Sequence, residues 1–295
     1  MKMNIKPLQL LGTACTLLSI LLASGCANRL CYHPDHTIYT QPQQAQPPAE
    51  VVQFASADGT QLTGWFVPAI GPAKGTVAHF HGNAQNLTAH YSFVSWLPAA
   101  GYNIFTFDYR GYGASAGSVD RDGVDADGVA ALRYLAARPG VDTNRIVVLG
   151  QSLGGAVALA ALAERPCRVR ALALDSTFYS YRAVARDAMR HIFFYSLIRW
   201  PLSLVLVGDR RSPCDTLKRL PPMPIVFLHG TADTVIPYHH SERLFAEAQE
   251  PKQLWTITDG GHTAAFAPPT SPCRQKLVDF FDTALADNLA LPIAK

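Results

Sequence analysis

Charge is scarce in this sequence. Only 16% of its 295 residues are Asp, Glu, Lys or Arg, and the formal net charge is +3 with no Lys/Arg-rich block. So small and dispersed a positive charge gives no footprint for nucleic acid, and no nucleic-acid partner is expected. Cysteine is sparse too. None of the six sits in a CxxC spacing with another, which argues against a zinc site. No internal repeat is evident. What the chain does have is apolar material, 48% of it, enough for a sizeable core in one large α/β domain or two small ones.

The first segment is unlike the rest. Lys2 and Lys6 precede a nearly all apolar or small stretch from Leu8 to Ala23, followed by Leu22-Ala23-Ser24-Gly25-Cys26. A basic head, an apolar stretch and small residues before a cleavage point read as an export signal over 1–25. The stretch is shorter than the roughly 20 residues of a spanning helix, which weakens the alternative of an uncleaved anchor. Small residues directly before Cys26 resemble the lipobox of bacterial lipoproteins. The resemblance implies lipidation of Cys26, a membrane partner through that anchor, and a place in the bacterial cell envelope. Ala27 in place of an Asp implies the outer membrane, facing the periplasm. Residues 26–50, with the Pro/Gln-rich run 41–48, read as anchor and tether. Cys31, Cys167, Cys214 and Cys273 would then share an oxidising compartment. A Cys214–Cys273 bridge is expected because both should lie after segments that meet near the active-site face; unpaired buried thiols are the alternative.

From residue 51 the pattern changes. Strand-like runs at 51–55 and 62–67 flank Asp58-Gly59, a hairpin signal. Apolar runs at 75–81, 103–108, 145–149, 170–174, 225–229 and 253–258 then alternate with helix-like segments at 87–99, 124–137, 153–164, 241–248 and 274–286. This alternation predicts an α/β domain over 51–290: a mostly parallel sheet covered on both faces, with the hairpin as an antiparallel edge. An insertion at about 176–222, strongly apolar over 192–207, reads as a helical cap over the active site or as peripheral packed helices.

The chemistry concentrates at Gly150-Gln151-Ser152-Leu153-Gly154. G-x-S-x-G alone is common, but here it joins the apolar run 145–149 to a small-residue helix, the setting its mechanics need. Ser152 is the candidate nucleophile. It needs a base, and His262 follows the last strand on a loop that can reach it. The base needs a carboxylate. Asp233 follows the penultimate strand and gives the order Ser…Asp…His, while Asp175 competes for the role. Backbone N–H groups of Leu153 and Asn83 are the candidate oxyanion donors. Among the other histidines, His79 reads as a satisfied core residue and His81 as a brace for its loop. His239 and His240 read as solvent-facing or capping, and Asp108 as ordering the turn Tyr109-Arg110-Gly111.

The segments HGNAQN at 81–86, DYRGYGASAG at 108–117, GQSLGG at 150–155, DSTF at 175–178, PIVFLHGTADTVIP at 224–237 and GGH at 260–262 resemble the α/β-hydrolase superfamily. Within it they are similar to the serine aminopeptidase-like and depalmitoylase-like branch. Gln85 departs from the glycine that relatives often carry. The resemblance implies a serine hydrolase needing no cofactor and no metal, acting on an ester or thioester of a small-molecule or acyl substrate. A serine peptidase and a non-catalytic binding protein on the same fold are the alternatives.

Overall fold

The computed structural model describes residues 32–190 and 208–286. The signal region with Cys26 and Cys31, and the apolar run 192–207, lie outside them. Among the described residues no helix is long and apolar enough to cross a membrane.

Along the chain the strands are β1 (His33–Pro34), β2 (Glu50–Ala55), β3 (Gln61–Val67), β4 (Gly75–Phe80), β5 (Ala84–Gln85), β6 (Tyr102–Phe107), β7 (Ile146–Gln151), β8 (Leu172–Asp175), β9 (Ile225–Gly230) and β10 (Lys252–Ile257). The α-helices are α1 (Leu87–His90), α2 (Arg121–Ala137), α3 (Leu153–Ala163), α4 (Tyr181–Met189), α5 (Pro213–Leu217), α6 (His239–Glu247) and α7 (Pro272–Ala286). Eight strands form one sheet in the order β10-β9-β8-β7-β4-β6-β3-β2. Only β2–β3 and β3–β6 pair antiparallel, so the hairpin is the antiparallel edge that the sequence predicts. The order of strand addition reverses between β4 and β7, the place where an open α/β sheet leaves a crevice at its carboxyl ends.

Alternation along the strands divides the core. Ile146 and Val148 of β7 join a cluster with Leu132, Leu135, Val157 and Leu159 of α2 and α3. Val147 and Leu149 face the other way, onto Leu97, Phe266, Leu277 and Phe281. Each such side chain, fully buried, contributes about 1.5–3 kcal/mol before entropy is counted. The same division corrects the disulfide expectation. Cys214 is in the first cluster and Cys273 packs on the second, so the sheet stands between them and both are free thiols. Which face a cysteine occupies is not encoded in its distance along the chain.

Two further expectations change. The helix expected over 87–99 ends at His90 and continues as a 3-10 turn over Tyr91–Phe93. Ser92 and Ser95 hydroxyls donate to carbonyls three residues back, at 2.9 and 3.2 Å, competing with helical bonding. The second change concerns the tether. Its described part, from Tyr32 onward, lies on the domain: Tyr32 and Ala45 are buried, and β1 pairs in parallel with β5.

One buried acid on α2 carries a pH signature. Asp125 is 3% exposed and its Oδ2 has no hydrogen-bond partner among the described residues. Burial pushes its carboxyl up to about 7, although the Arg211 and Arg121 guanidinium groups pull the other way. The Arg211 contact, at 3.7 Å, is too long to reverse the desolvation. Because the folded state holds this proton more tightly than the unfolded chain, the contribution of Asp125 to stability is greatest below about pH 4 and is lost as pH rises toward 7. Asp125→Asn is therefore expected to raise the thermal midpoint at pH 8 and to leave it near wild type at pH 4. A tenfold change in proton affinity corresponds to about 1.4 kcal/mol, so the gap at pH 8 is of the order of a few kcal/mol. Melting curves of both proteins across this range check it; equal midpoints at pH 8 would remove the signature.

Candidate active site

Strand register brings the candidate residues to one edge. Phe80 of β4 lies opposite Gly150 of β7, Gln151 opposite Asp175 of β8, and Gly230 of β9 opposite Ile257 of β10. The loops carrying Asn83, Ser152, Asp233 and His262 thus leave the sheet side by side.

Ser152 occupies the turn between β7 and α3 with φ 53° and ψ −117°, a strained backbone for a residue bearing a Cβ. Its side chain caps no helical N–H, so Oγ is left for other chemistry. Gly154 makes the turn feasible, since a Cβ there would sit 2.0 Å from the Phe80 carbonyl oxygen. Close approach of α3 to β4 sets the Leu153 N–H, one of the free donors of the first helical turn, beside the loop of Asn83.

The acid and the base are joined. His262 Nδ1 donates to Asp233 Oδ2 at 2.7 Å, while Asp233 Oδ1 accepts the N–H groups of Val235 and Ile236 at 2.9 and 2.8 Å. Burial opposes ionisation of Asp233. The hydrogen bonds from His229 and His262, with the His262 charge and the Ile236 N–H, outweigh it and hold the carboxyl well below the usual carboxylate range. With Nδ1 carrying the proton, Nε2 of His262 is the basic nitrogen.

Ser152 and His262 are tied to neighbouring residues of one segment. The Ser152 N–H donates to the Asp175 carbonyl at 2.8 Å, and the Thr263 N–H donates to Ser176 Oγ at 3.0 Å. His262 lies near enough to Asp175 and His90 for its charge to act on both. No Ser152–His262 hydrogen bond is formed among the described residues; in unliganded sites this contact is often loose and tightens on substrate. Asp175 is fully buried and takes another part. It accepts from Gln151 Nε2 at 3.0 Å, and Gln151 Oε1 meets His79 Nε2 at 3.0 Å, whose Nδ1 meets Thr106 Oγ1 at 3.1 Å. Burial raises the Asp175 carboxyl and lowers His79 to about 3, so His79 is the neutral core residue expected from its strand position.

The oxyanion side is built around Asn83, whose Oδ1 accepts from Tyr112 Oη at 2.9 Å and from the His33 N–H at 3.2 Å. His81 lies tilted against Tyr109 (4.4 Å) and stacked on His90 (5.2 Å), and its Nδ1 meets the Gly82 carbonyl at 2.8 Å, in keeping with a brace. Asp108 does something different from the turn-ordering expected. Its carboxylate accepts the Leu87 N–H at 2.7 Å at the start of α1, and the turn after it is held by Arg110 on Asp127 and Asp58.

Sequence reading missed three residues. His229 packs against Asp233, its Nε2 3.2 Å from Oδ2 while meeting the Ile236 carbonyl at 2.8 Å, with Ser241 Oγ at 2.6 Å on its other nitrogen. Its signal was the four-residue spacing to Asp233 after a strand. Ser176 anchors the loop of the base, and His90 backs the oxyanion loop through Ala84 O at 2.8 Å. His240 is buried rather than solvent-facing, with Asp187 and His239 beside it. These three form a cluster of metal-ligating atoms, yet the chemistry disfavours a cation. Tyr179 N–H donates to His240 Nδ1 at 3.0 Å, so Nε2 carries the proton and donates to Asp187 at 3.0 Å, leaving no lone pair for a metal. A groove of about 530 Å³ between β10 and α7, lined by Trp255, Phe280 and Lys276 among others, contains none of the triad.

Comparison with known proteins points to α/β hydrolases. A family model described as "Serine aminopeptidase, S33" matches residues 71–212. The uncharacterized protein YfhR of Salmonella typhi is 41% identical over 270 residues, covering 86% of this chain and 88% of that one. The α/β hydrolase domain-containing protein WAV2 of Arabidopsis thaliana is 34% identical over 204 residues, covering 68% and 66%. Among solved structures, an esterase of Pyrococcus furiosus superposes with a TM-score of 0.71 at 20% identity, covering 86% of this chain and 98% of its own.

Proposed function

Because the chain belongs to the α/β-hydrolase superfamily, in its serine aminopeptidase-like branch, we propose that it hydrolyses an ester or thioester of an apolar or acyl substrate through an acyl-serine intermediate. The observation that carries this reading is the Asp233–His262 contact of 2.7 Å, at the same edge of the sheet as a serine on a strained turn whose hydroxyl caps no helical N–H. Ser152 Oγ attacks the carbonyl carbon as its proton passes to His262 Nε2. The oxyanion meets the N–H groups of Leu153 and Asn83. Collapse expels the alcohol or thiol, which takes the proton from His262, and leaves the acyl group on Ser152. Water then gives a proton to His262 as it attacks the acyl carbon; collapse breaks the bond to Oγ, His262 returns the proton to Ser152 Oγ, and the acid is released. Asp233 stabilises the imidazolium in both halves. The chain's own residues complete this cycle, and it calls on no cofactor.

The family description favours one second reading, cleavage of a peptide bond. A panel of p-nitrophenyl esters of increasing acyl length, beside acyl-thioester and aminoacyl-amide analogues, separates the two. Ester or thioester turnover far above amide turnover is expected, and the reverse would transfer the proposal to peptides. Fluorophosphonate labelling of Ser152 without turnover of any of them would favour a binding protein.

Location belongs to the same proposal. Lipidation at Cys26 would tether the enzyme to the outer membrane on its periplasmic side. Tyr32 already packs on the domain, so the intervening link, at about 3.3–3.6 Å per residue, spans no more than about 22 Å. An acyl substrate of the membrane itself would then be within reach.

A further inference from the structure

We propose that residues 32–39 form a strap that positions the oxyanion loop, with Asp35 as its central positioning residue. The inference rests on Asn83 serving the oxyanion in the serine hydrolase proposed above.

The strap has little to do with the core. Tyr32 is buried, but His33, Pro34, Thr37, Ile38 and Tyr39 are exposed, Ile38 at 62%. Its polar contacts, in contrast, converge on the few residues after β4. The His33 N–H donates to Asn83 Oδ1, and β1 then pairs with Ala84 and Gln85, the two residues that follow the expected donor. Gln85 holds φ 65°, a left-handed conformation that a glycine would adopt without strain, and its carbonyl accepts the Asp35 N–H at 3.3 Å. Strap pairing fixes in place a backbone that the side chain disfavours.

Asp35 is where these contacts meet. Its Oδ1 accepts from Asn86 Nδ2 at 2.7 Å and its Oδ2 from Tyr39 Oη at 2.6 Å. Its carbonyl accepts the Gly113 N–H at 2.9 Å. Asn86 is itself buried and caps α1 through Thr88 N at 3.0 Å, while donating also to Thr37 O at 2.8 Å. The carboxylate therefore ties the strap to the far end of the turn at Asn86, while the backbone N–H groups of His33 and Asp35 hold Asn83 and Gln85. Aim at an oxyanion depends on tenths of an ångström, and a misplacement near 1 Å can cost about 10²-fold.

The test compares Asp35→Ala and Asp35→Asn in the full-length protein with p-nitrophenyl acetate, rates being expressed per active site titrated with a fluorophosphonate. Asp35→Ala is expected to lower kcat by about 10–100-fold with KM within about twofold and an unshifted melting midpoint. Asp35→Asn keeps an acceptor for Asn86 and a partner for Tyr39, and is expected to recover most of the rate. Should Asp35→Ala fail to fold, Tyr39→Phe removes a single contact to Oδ2 and is expected to lower kcat several-fold at constant KM. Unchanged kcat per titrated site in the folded variants, while Ser152→Ala is dead, would overturn the strap and leave the hydrolase standing. Failure of the wild-type protein to react with the probe would remove both.

Discussion

Ser152→Ala is expected to lower kcat by about 10⁴–10⁶, or roughly 5–8 kcal/mol of barrier. The size follows from covalent catalysis: without Oγ no acyl-enzyme forms, and only binding and the N–H donors of Leu153 and Asn83 remain to assist water. The substitution also isolates chemistry from folding. Alanine keeps the Cβ, so the strained backbone at φ 53° is neither relieved nor worsened, and the lost hydroxyl capped no helical N–H. Melting behaviour should stay within about 0.5 kcal/mol of wild type. Ester turnover, with fluorophosphonate labelling alongside, checks it. Retention of more than about a hundredth of wild-type kcat would exclude Ser152 as nucleophile.

Asp233→Asn is expected to cost about 10⁴ in kcat. An amide in that position can still accept the Val235 and Ile236 N–H groups through its oxygen. Its NH₂ then faces His262 Nδ1 and donates to it, which forces the proton onto Nε2, the nitrogen that must accept from Ser152. Asp175→Asn is the control. That side chain faces Gln151 and Ser176, at 3.0 and 3.2 Å, and an amide can accept from the first while donating to the second. A loss within about tenfold is expected there. If Asp175→Asn proved the more damaging in parallel kinetics, the acid role would pass to it.

Both predictions rest on residues that the sequence named, and there is a physical reason these were visible. A nucleophile turn demands small residues at fixed offsets, and buried parallel strands demand continuous apolar runs. Gly150, Gly154 and 146–149 carry those demands in one dimension. The strap carried none. Its bonds go to loop amides and carbonyls through Asp35 and Asn86, a pattern without period, so its place just before the Pro/Gln-rich run 41–48 made it resemble part of a free tether. His229 was hidden because its meaning depends on the turn at Asp233 folding back over it. The cysteines misled for a related cause: Cys214 and Cys273 follow adjacent parts of the sheet, but only three dimensions show that they lie on opposite sides of it.

The chain of side chains Thr106, His79, Gln151 and Asp175 runs across four neighbouring strands, directly beneath the nucleophile. Each member satisfies the next, in a place water does not enter. Such a set behaves as one energetic unit. Truncating Gln151 would orphan a histidine nitrogen and a carboxylate together, whereas exchanging His79 and Gln151 jointly for apolar residues of similar shape would strand fewer polar atoms. The unit would tend to change all at once or not at all, and the floor under the reacting serine would inherit that rigidity.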